Sequence, residues 1–588
     1  MAIFAFYIVP ARADSAADGR LAALNALLAE QWEYTLKDSP EFATIIGDDR
    51  YNDRWSDASP AHVAQQQRDA ESFLKRFQAL DTAGLPEQDR LNRDLMVRQL
   101  QDNLQGFALR TYEMPLDQFA GMHLELAQLV STMPFDSTRH YEDYLRRLHA
   151  LPQVLEQVTE LARLGEKDGL MPPKYLLEKV AVQARAIAAP AGVDNVFGRP
   201  AAHFPDAVPP ADRKRLRDAI VQAVDGEVRP AYVRLAQFVA ADYAPKGRAE
   251  PGLWALPDGA ARYRYAIHTQ TTTDRDPEEI HQLGLAEVRR IEAEMGAIAV
   301  RLGYKDLADM RARLKTDPKV HAASREQIVG LYRKYIAQMQ PKLPELFGLL
   351  PKTAVVVEPV QTYREKDAAA AEYSQGTPDG SRPGKVFVNT GDFAKRSVIT
   401  IEDTAYHEAI PGHHMQISIA QTLPGLPPFR QQAGYTAYVE GWALYAERLG
   451  KDIGFYREPL NDYGRLSGEL LRADRLVLDT GVHYKHWSRE QMVQFFRAHS
   501  SEDEPDLQAE TDRYIAMPGQ ALAYKLGQLE ILGLRERARS ALGDRFDIKA
   551  FHDEILNGGA LPLDVLDARV GAWVDAQKAG APAAAGGS

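Results

Sequence analysis

The sequence predicts a mainly α-helical protein, and two observations support this fold class. Apolar residues recur at spacings of three and four positions, which is the period of an amphipathic helix. This pattern fills the stretches 21–36, 139–165, 212–240, 277–302 and 322–349. A start signal precedes one of them, because Asp276 offers a cap and Pro277 fits the first helical position. We therefore expect long helices over most of the chain.

The length of 588 residues is several times that of a single hydrophobic core, so more than one structural part is expected. We divide the chain into an N-terminal helical part, residues 14–270, and a C-terminal helical part, residues 271–578, which together form one continuous unit. Residues 579–588 end in the small-residue string APAAAGGS and are expected to form a disordered tail.

The first residues read MAIFAFYIVPARADS, an apolar run that ends in the small-x-small sequence Ala11-Arg12-Ala13. This order is typical of the end of a secretory signal peptide and its cleavage site. The basic segment that usually begins a signal is missing, so residues 1–13 are either a truncated signal peptide or an ordinary buried or frayed N-terminus. We expect export to the periplasm, with a cytoplasmic location as the alternative.

The composition excludes several classes of function. The chain has 70 basic and 82 acidic side chains, and its net charge of −12 disfavours binding to the phosphates of a nucleic acid. No apolar stretch reaches the ~18 residues that a transmembrane helix needs. Cysteine is absent, so thiolate catalysis, disulfides and thiolate metal ligands are excluded. Any metal site must therefore use histidine nitrogen and carboxylate oxygen.

Two short segments depart from the helical pattern. Residues 354–360 read AVVVEPV and residues 385–388 read KVFV, and the loop 375–384 between them is rich in Gly, Pro, Asp and Ser. We predict two short strands joined by a long loop, forming a small β-hairpin or sheet beside the helix that carries the candidate metal ligands. Its edge either binds an extended peptide by strand addition or is a structural hairpin that covers the core.

The segment 404–417 reads TAYHEAIPGHHMQI and holds three of the 15 histidines of the chain within eight positions. In the zinc motif His-Glu-x-x-His, two imidazoles four positions apart share one helix face, and the glutamate polarises the metal-bound water. The fourth position after His407 is Pro411, which cannot donate the helical hydrogen bond. We therefore predict an interruption of two extra residues, with Gly412 allowing the return, after which His413 is the second ligand.

His414 is the alternative second ligand. If His413 binds the metal, the rotation of about 100° per residue directs His414 to a supporting partner or to substrate. The interpretation without a metal is a polar surface turn with clustered histidines.

A catalytic zinc site usually has three protein ligands and an open position for water, so a third ligand is expected downstream. Glu440 lies in GYTAYVEGWALYAERLG, a largely apolar segment typical of a buried helix, where a carboxylate is costly unless it is paired or binds a metal. Glu447, seven residues later on nearly the same face, either supports the site or is a solvated helix end. This site would hold one Zn²⁺ per chain, with Glu408 as the general base.

At these residues the sequence resembles a bacterial conserved-domain family of unknown function marked by the string HEAIPGHH. It also resembles the glutamate-zinc peptidases, because HEAIPGH is similar to the His-Glu-Phe-Gly-His string of thimet oligopeptidase and carboxypeptidase Taq with two residues inserted. The Glu-Gly-Trp-Ala segment at 440–443 is similar to the Glu-Gly-Phe-Ala segment that provides the third ligand in zinc aminopeptidases. The resemblance implies a large two-lobed helical bundle with a central cleft.

The resemblance extends to MPGQALAYKLGQLEILGLRERA at 517–538, which is similar to the tyrosine-bearing helix near the C-terminus of carboxypeptidase Taq. In such enzymes a tyrosine hydroxyl helps to bind the developing oxyanion. The resemblance therefore favours Tyr524 for this role, with Tyr514 as the second candidate. Most of the 25 tyrosines must instead be packing residues.

Two further groups are candidates for the site. Asp479 and His483 lie four positions apart on one predicted helix face. They form either a carboxylate-oriented histidine that acts on the tetrahedral intermediate or supports the ligands, or a capped pair on a structural helix. Arg472, Arg475 and Arg513 have the planar fork that matches a substrate carboxylate, although arginines on helices are usually solvated.

The resulting prediction is a zinc-dependent metallohydrolase that cleaves peptide bonds in oligopeptides. Zinc would activate water, and Glu408 would take its proton as the water attacks the carbonyl. One alternative is an amidase or deacylase that acts on a non-peptide amide. Another is a non-catalytic metal-binding protein, in which a fourth ligand such as His414 closes the site.

Overall fold

Helices form most of the computed structural model, which describes residues 15–580 apart from 361–364, 366–367, 501 and 503. The mainly helical class and the small sheet are confirmed. The predicted signal segment 1–13 and residues 581–588 of the predicted tail lie outside the described residues. No helix in the described ranges is both long and apolar enough to cross a membrane.

The α-helices of the N-terminal part are α1 (Ser15–Asp38), α2 (Pro40–Ile46), α3 (Pro60–Gln78), α4 (Glu87–Ala108), α5 (Met122–Gln128), α6 (Thr138–Lys167), α7 (Lys174–Ala188), α8 (Pro210–Ala223), α9 (Arg229–Phe238) and α10 (Gly259–Thr271). Two π-helical segments, Val224–Val228 and Val239–Tyr243, follow α8 and α9.

The C-terminal part begins with α11 (Pro277–Arg301), α12 (Leu307–Leu314), α13 (Arg325–Met339) and α14 (Leu343–Leu346), followed by strands β1 (Val355–Pro359), β2 (Ala371–Ser374) and β3 (Gly384–Val388). It continues with α15 (Ile401–Glu408), α16 (His413–Thr422), α17 (Pro428–Gln431), α18 (Thr436–Asp452), α19 (Pro459–His483), α20 (Arg489–His499), α21 (Glu504–Ala516), α22 (Gln520–Leu542), α23 (Ile548–Leu556) and α24 (Leu563–Lys578).

The apolar stretches in the sequence correspond to helices, with two adjustments. The predicted cap of α11 is present, because the side chain of Asp276 accepts the amide hydrogen of Glu278. The stretch 212–240 is divided by the π-helical segment between α8 and α9. The stretch 322–349 forms α13 and α14 instead of one helix, because Pro341 cannot donate a helical hydrogen bond.

Two of the hydrophobic clusters lie mostly in different parts of the chain, although Leu95 of α4 belongs to the second. In the N-terminal part, α6, α7 and α9 bury a cluster that includes Tyr144 and Tyr232. In the C-terminal part, a second cluster surrounds Trp442 of α18. Helix α10 joins the two parts, because its Ile267 packs with Leu522 of α22. In the C-terminal part, where the candidate ligands lie, α18 and α19 contact each other, and each of them contacts α15 and α22.

Helix α19 runs alongside α15 in the same direction. A Cβ atom at Gly464 would lie 2.0 Å from the carbonyl oxygen of Ile399, just before α15 begins. One turn later, a Cβ atom at Gly468 would lie 2.8 Å from Oδ2 of Asp403. Glycine at these two positions therefore permits the close approach of the two helices.

The three strands form one mixed sheet in the order β1-β3-β2. β1 and β3 match the two predicted strands, but they pair in parallel, with Val355 opposite Gly384. β2 pairs antiparallel with β3, with Ala371 opposite Val388, and contacts α15. The two predicted strands and the small sheet are confirmed, but the two strands do not form a hairpin and the long segment between them also contains β2. Parallel neighbours need a long crossover, and this crossover contains the third strand.

Candidate metal centre

The two predicted histidine ligands lie at the end of one helix and the start of the next. α15 ends at Glu408 and α16 begins at His413, so the chain forms two helices where we expected one interrupted helix. The reason is Pro411, which has no amide hydrogen with which to continue α15. Gly412 is required in the return, because a Cβ atom there would lie 1.9 Å from the carbonyl oxygen of His407.

Helix α18 holds the turn between α15 and α16 in place. The indole N–H of Trp442 donates a hydrogen bond of 2.8 Å to the carbonyl oxygen of Pro411. The Ile410–Pro411 peptide bond within this turn is cis. Trp442 is fully buried and follows Glu440 by two positions. The same helix therefore carries the predicted third ligand and fixes the turn that separates the first two.

The side chains of His407, His413 and Glu440 converge, and one ligand atom of each lies within 4.8 Å of the others. Oε2 of Glu440 is 3.5 Å from Nε2 of His407 and 3.4 Å from Nε2 of His413. The two imidazole rings are nearly perpendicular, with an interplanar angle of 87°. Atoms that bind a tetrahedral Zn²⁺ at about 2.0–2.1 Å are about 3.3–3.4 Å apart. The observed separations therefore fit an ion of this size.

The chemistry of the three donors also fits a metal ion. Two imidazole nitrogens and a carboxylate oxygen suit Zn²⁺. Oε2 of Glu440 is buried and has no hydrogen-bond partner among the described residues, which is costly unless the oxygen binds a cation. Although burial disfavours the charged form, the imidazoles of His413 and His407 hold the pKa of Glu440 well below its ordinary value. The group could therefore hold a metal ion.

Glu447 fixes the orientation of His407 through the other ring nitrogen. Nδ1–H of His407 donates a hydrogen bond of 2.8 Å to Oε1 of Glu447, which leaves Nε2 directed at Glu440. Burial by itself lowers the pKa of His407, but the carboxylates of Glu440 and Glu447 raise it to about 10. Glu447 is buried next to His407 and is not a solvated helix end.

A buried carboxyl that we did not single out in the sequence lies behind this pair. Asp403 precedes His407 by one helical turn, and burial, followed by the charge of Glu447, raises its pKa well above the ordinary range. Arg472 of α19 approaches the same group, with Nη2 at 3.8 Å from Oε1 of Glu447. The signal that could have revealed Asp403 is its spacing of four residues before His407, which places both on one helix face.

Glu408 and His414 follow the two histidine ligands directly and have different surroundings. Glu408 is half-buried at the end of α15, and its charge contributes to the raised pKa of His407. His414 is hydrogen-bonded to residues of the small sheet and its flank. Its Nδ1 accepts the hydroxyl hydrogen of Tyr373 in β2 at 3.0 Å, and its Nε2–H donates to the carbonyl oxygen of Thr353, just before β1, at 3.1 Å. Burial lowers the pKa of His414 to about 4. His414 is not part of the converging group.

Two glycines bring α22 against α18 and position Tyr524. A Cβ atom at Gly441 would lie 2.5 Å from Cα of Gly527, so the backbones of the two helices are in contact beside Glu440. Tyr524 lies one turn before Gly527, and its ring centroid is 6.0 Å from the guanidinium carbon of Arg472. Tyr524 therefore borders the residues that support the converging group.

Among the described residues, the hydroxyl of Tyr524 acts only as a hydrogen-bond acceptor. It accepts hydrogen bonds from Nη2 of Arg513 at 3.2 Å and from Nε2 of Gln520 at 3.3 Å. These two bonds occupy the acceptor capacity of a hydroxyl group, so its own hydrogen is left to donate elsewhere.

The hydroxyl of Tyr514, in contrast, both donates and accepts a hydrogen bond. It donates to Oε2 of Glu510 at 2.5 Å and accepts from Nε of Arg475 at 3.0 Å. Burial, together with the charge of Glu510, raises the pKa of Tyr514 well above its ordinary value. Of the two predicted oxyanion donors, only Tyr524 therefore has a hydrogen to offer.

The structure does not bring Asp479 and His483 together as a hydrogen-bonded pair. Nδ1 of His483 accepts the amide hydrogen of Leu253 at 3.1 Å, and Nε2–H donates to the carbonyl oxygen of Tyr514 at 3.0 Å. Asp479 instead accepts the hydroxyl hydrogen of Tyr263 at 2.7 Å. Burial lowers the pKa of His483 to about 3. Backbone groups engage both ring nitrogens, so His483 has none left for a substrate or an intermediate.

One known protein family matches most of the chain. Residues 40–570 match the family described as "Bacterial protein of unknown function (DUF885)". The chain belongs to this family. The matched range contains all three residues of the converging group. No curated protein matches the chain.

Two solved structures share the fold of this chain. The crystal structure of the "putative lipoprotein" from Colwellia psychrerythraea is 28% identical, with a TM-score of 0.89 over 95% of this chain and 99% of that chain. A "putative lipoprotein of unknown function" from Shewanella oneidensis is 18% identical, with a TM-score of 0.69 over 93% and 99%. A "putative oligoendopeptidase F" from Bacillus anthracis strain Ames is 13% identical over 88% and 96%, but its TM-score of 0.30 is too low to indicate a common fold.

Proposed function

We propose that this chain is a zinc-dependent hydrolase that cleaves peptide bonds in oligopeptides. The observation that carries the proposal is the convergence of His407, His413 and Glu440 at separations suited to Zn²⁺. Three protein donors leave one tetrahedral position for water, which is the arrangement of catalytic zinc and not of structural zinc. His414, which would close the site as a fourth ligand, is hydrogen-bonded to the sheet side instead.

The side chains around this group suit hydrolysis of an amide. A bound zinc ion would lower the pKa of a water molecule and polarise the substrate carbonyl. Glu408 would accept the proton of the attacking water and pass it to the leaving amine. Glu447 holds the ring of His407, so that Nε2 keeps its direction during turnover. Tyr524 would donate its hydroxyl hydrogen to the oxyanion that develops on the carbonyl oxygen.

Oligopeptides are the proposed substrates because the ligand strings are similar to those of oligopeptidases and carboxypeptidases. Metal analysis of the purified protein, followed by mass spectrometry of a digested peptide mixture, tests the proposal. We expect about one zinc per chain, cleaved peptides, loss of cleavage with a chelator and recovery when zinc is restored. Cleavage of simple N-acyl amides but not of peptides would mean that the substrates are non-peptide amides. A zinc-free protein that hydrolyses neither would refute the proposal.

We also propose that residues 14–270 and 271–578 work as one catalytic unit. The packing of α10 on α22 supports this, as does the hydrogen bond of 3.0 Å from the Gln118 side chain to the carbonyl oxygen of Asp512. Expression of residues 271–578 alone should yield a protein without peptide hydrolysis. Full activity of that fragment would contradict the proposal.

Export is the proposed location. The apolar run and the Ala11-Arg12-Ala13 sequence support it, and so does the likeness to the Colwellia protein described as a lipoprotein. A fusion of residues 1–30 to a phosphatase that folds only outside the cytoplasm should be active in bacterial cells. An inactive fusion, with an active control that carries a known signal, would favour the cytoplasm.

A further inference from the structure

The order of residues along α19 places two arginines level with the candidate metal ligands. Gly468 contacts Asp403, one turn before His407 on the parallel helix α15. The next turn of α19 therefore brings Arg472 level with His407, and Arg475 follows beside the end of α15. The guanidinium carbon of Arg475 lies 4.6 Å from the ring centroid of Tyr524, and that of Arg472 lies 6.0 Å from it.

Arg472 and Arg475 are both engaged within the protein. Nη1 of Arg472 donates to the carbonyl oxygen of Gly468 at 3.1 Å, and its Nη2 faces Glu447. Arg475 is almost fully buried, and its Nη2 donates to Oε2 of Glu510 at 2.9 Å. Arg475 is therefore neutralised by Glu510, whereas Arg472 lies 3.8 Å from its carboxylate and its Nε has no hydrogen-bond partner among the described residues.

Arg513 shares one carboxylate, that of Glu510, with Arg475. Oε1 of Glu510 is 3.5 Å from its Nη1, but Glu510 already neutralises the buried Arg475. Nη2 of Arg513 donates to two neutral oxygens, those of Gln520 at 3.0 Å and Tyr524 at 3.2 Å. Its Nε is buried and has no hydrogen-bond partner in the described part of the chain. Arg475, Arg513 and Glu510 together therefore carry one net positive charge.

Arg513 and Phe119 of the N-terminal part lie side by side and are both partly exposed. The side chain of Arg513 is 18% exposed, whereas that of Arg475 is 6% exposed. The ring of Phe119 lies 4.9 Å from the Arg513 guanidinium carbon and is itself 43% exposed. An exposed aromatic ring beside a cation offers an apolar surface and a positive charge to the same ligand.

We propose that Arg513, supported by Gln520 and Tyr524, binds the free carboxylate at the C-terminus of a peptide substrate, with Phe119 against the terminal side chain. This inference rests on the proposed hydrolysis and names its substrate class. Tyr524 is the proposed oxyanion donor and touches Arg513 directly. At about 3.5 Å per extended residue, the bound carboxylate lies one or two residues beyond the scissile bond. The products are therefore single C-terminal amino acids or dipeptides.

The experiment compares a peptide that has a free C-terminal carboxylate with the same peptide as its C-terminal amide. For the zinc-loaded protein, kcat/KM should be roughly ten- to a hundredfold higher for the free acid, and one or two residues should be released. In Arg513→Gln this ratio should fall to about one. Arg513→Lys should retain part of the ratio, because it keeps the charge without the fork. Arg497→Gln, which removes an exposed arginine paired with Glu504, should keep the full ratio.

Binding to a protein that cannot turn over separates this inference from the proposed hydrolysis. Calorimetry on zinc-loaded Glu408→Gln should show at least roughly tenfold tighter binding of the free acid than of the amide. The difference should disappear when Arg513→Gln is added. Discrimination in binding without cleavage by the unaltered protein would refute the hydrolase and keep the carboxylate site. Equal binding of the two peptides would overturn the carboxylate site, whatever the result for hydrolysis.

Discussion

Two buried regions with a histidine beside a carboxylate look alike in sequence and differ in how the ring nitrogens are used. In the metal group, His407 donates through Nδ1 to Glu447, and its Nε2 faces Glu440 at 3.5 Å. At the far end of α19, both ring nitrogens of His483 are hydrogen-bonded to backbone groups. The pKa of His407 is raised to about 10 by carboxylates, whereas burial lowers that of His483 to about 3.

The difference shows what makes a buried histidine available for chemistry. A ring whose nitrogens both bond to backbone is a packing element with satisfied polar atoms. A ring with one nitrogen bonded to a carboxylate and the other facing further ligands is oriented for a metal ion. Four substitutions test whether this distinction holds, and the effect expected on hydrolysis decreases from the first to the last.

The largest effect is expected for the second ligand. His413→Ala removes one of three donors, so the protein should lose nearly all its zinc and at least about 1,000-fold in hydrolysis. His414→Ala is the matched control, because its ring contacts Tyr373 and Thr353 and should leave zinc content unchanged. Elemental analysis after dialysis measures both. Zinc loss in the control but not in His413→Ala would reverse the ligand assignment.

Glu408→Gln should lower turnover without lowering the zinc content of the protein. The amide has the same shape but cannot accept a proton from water, so turnover should fall by about 10²- to 10⁴-fold while zinc content stays unchanged. Steady-state kinetics and metal analysis of the same preparation measure the two effects. Near-normal turnover would eliminate Glu408 as the general base.

Glu447→Gln should weaken the metal site without abolishing it. The amide cannot match the carboxylate in holding Nδ1–H of His407, so zinc affinity should fall by about 10- to 100-fold. Competition with a chromogenic chelator gives the affinity. Asp479→Asn is the control, because this carboxylate bonds to Tyr263 and lies outside the metal group. An unchanged affinity in Glu447→Gln would mean that the hydrogen bond does not orient the ligand.

His483→Ala should have the smallest effect on hydrolysis and a clear effect on stability. It leaves the amide of Leu253 and the carbonyl of Tyr514 without their partners, so the free energy of unfolding should fall by about 2–4 kcal/mol. Zinc content, and turnover per folded molecule, should stay within about twofold of the unaltered protein. Denaturant titration and kinetics below the transition measure these. A large loss of turnover in a folded, zinc-loaded variant would restore a catalytic role.

The convergence of the three candidate ligands could be predicted from the sequence because the features that indicate it are local. Pro411 and Gly412 determine the turn between the two imidazoles, and the apolar neighbours of Glu440 indicate a buried carboxylate. The periodic apolar stretches likewise gave the mainly helical class, because helical period depends on neighbours a few positions apart.

Other features depend on distant contacts and could not be predicted in this way. The two backbone partners of His483 are Leu253, 230 positions away, and Tyr514, 31 positions away, so nothing near His483 reveals that its ring is already engaged. Strand β2 reads AEYS, a short segment without a β-branched residue, and it becomes a strand by pairing with β3. The choice between Tyr514 and Tyr524 required the positions of their hydrogen-bond partners, which three helices supply.

The hydrogen bond from Trp442 to the carbonyl oxygen of Pro411 has a mechanical consequence. Helix α18 carries Glu440, and through Trp442 it is also hydrogen-bonded to the turn between His407 and His413. A displacement of α18 would therefore carry all three donors in the same direction and change the distances between them little.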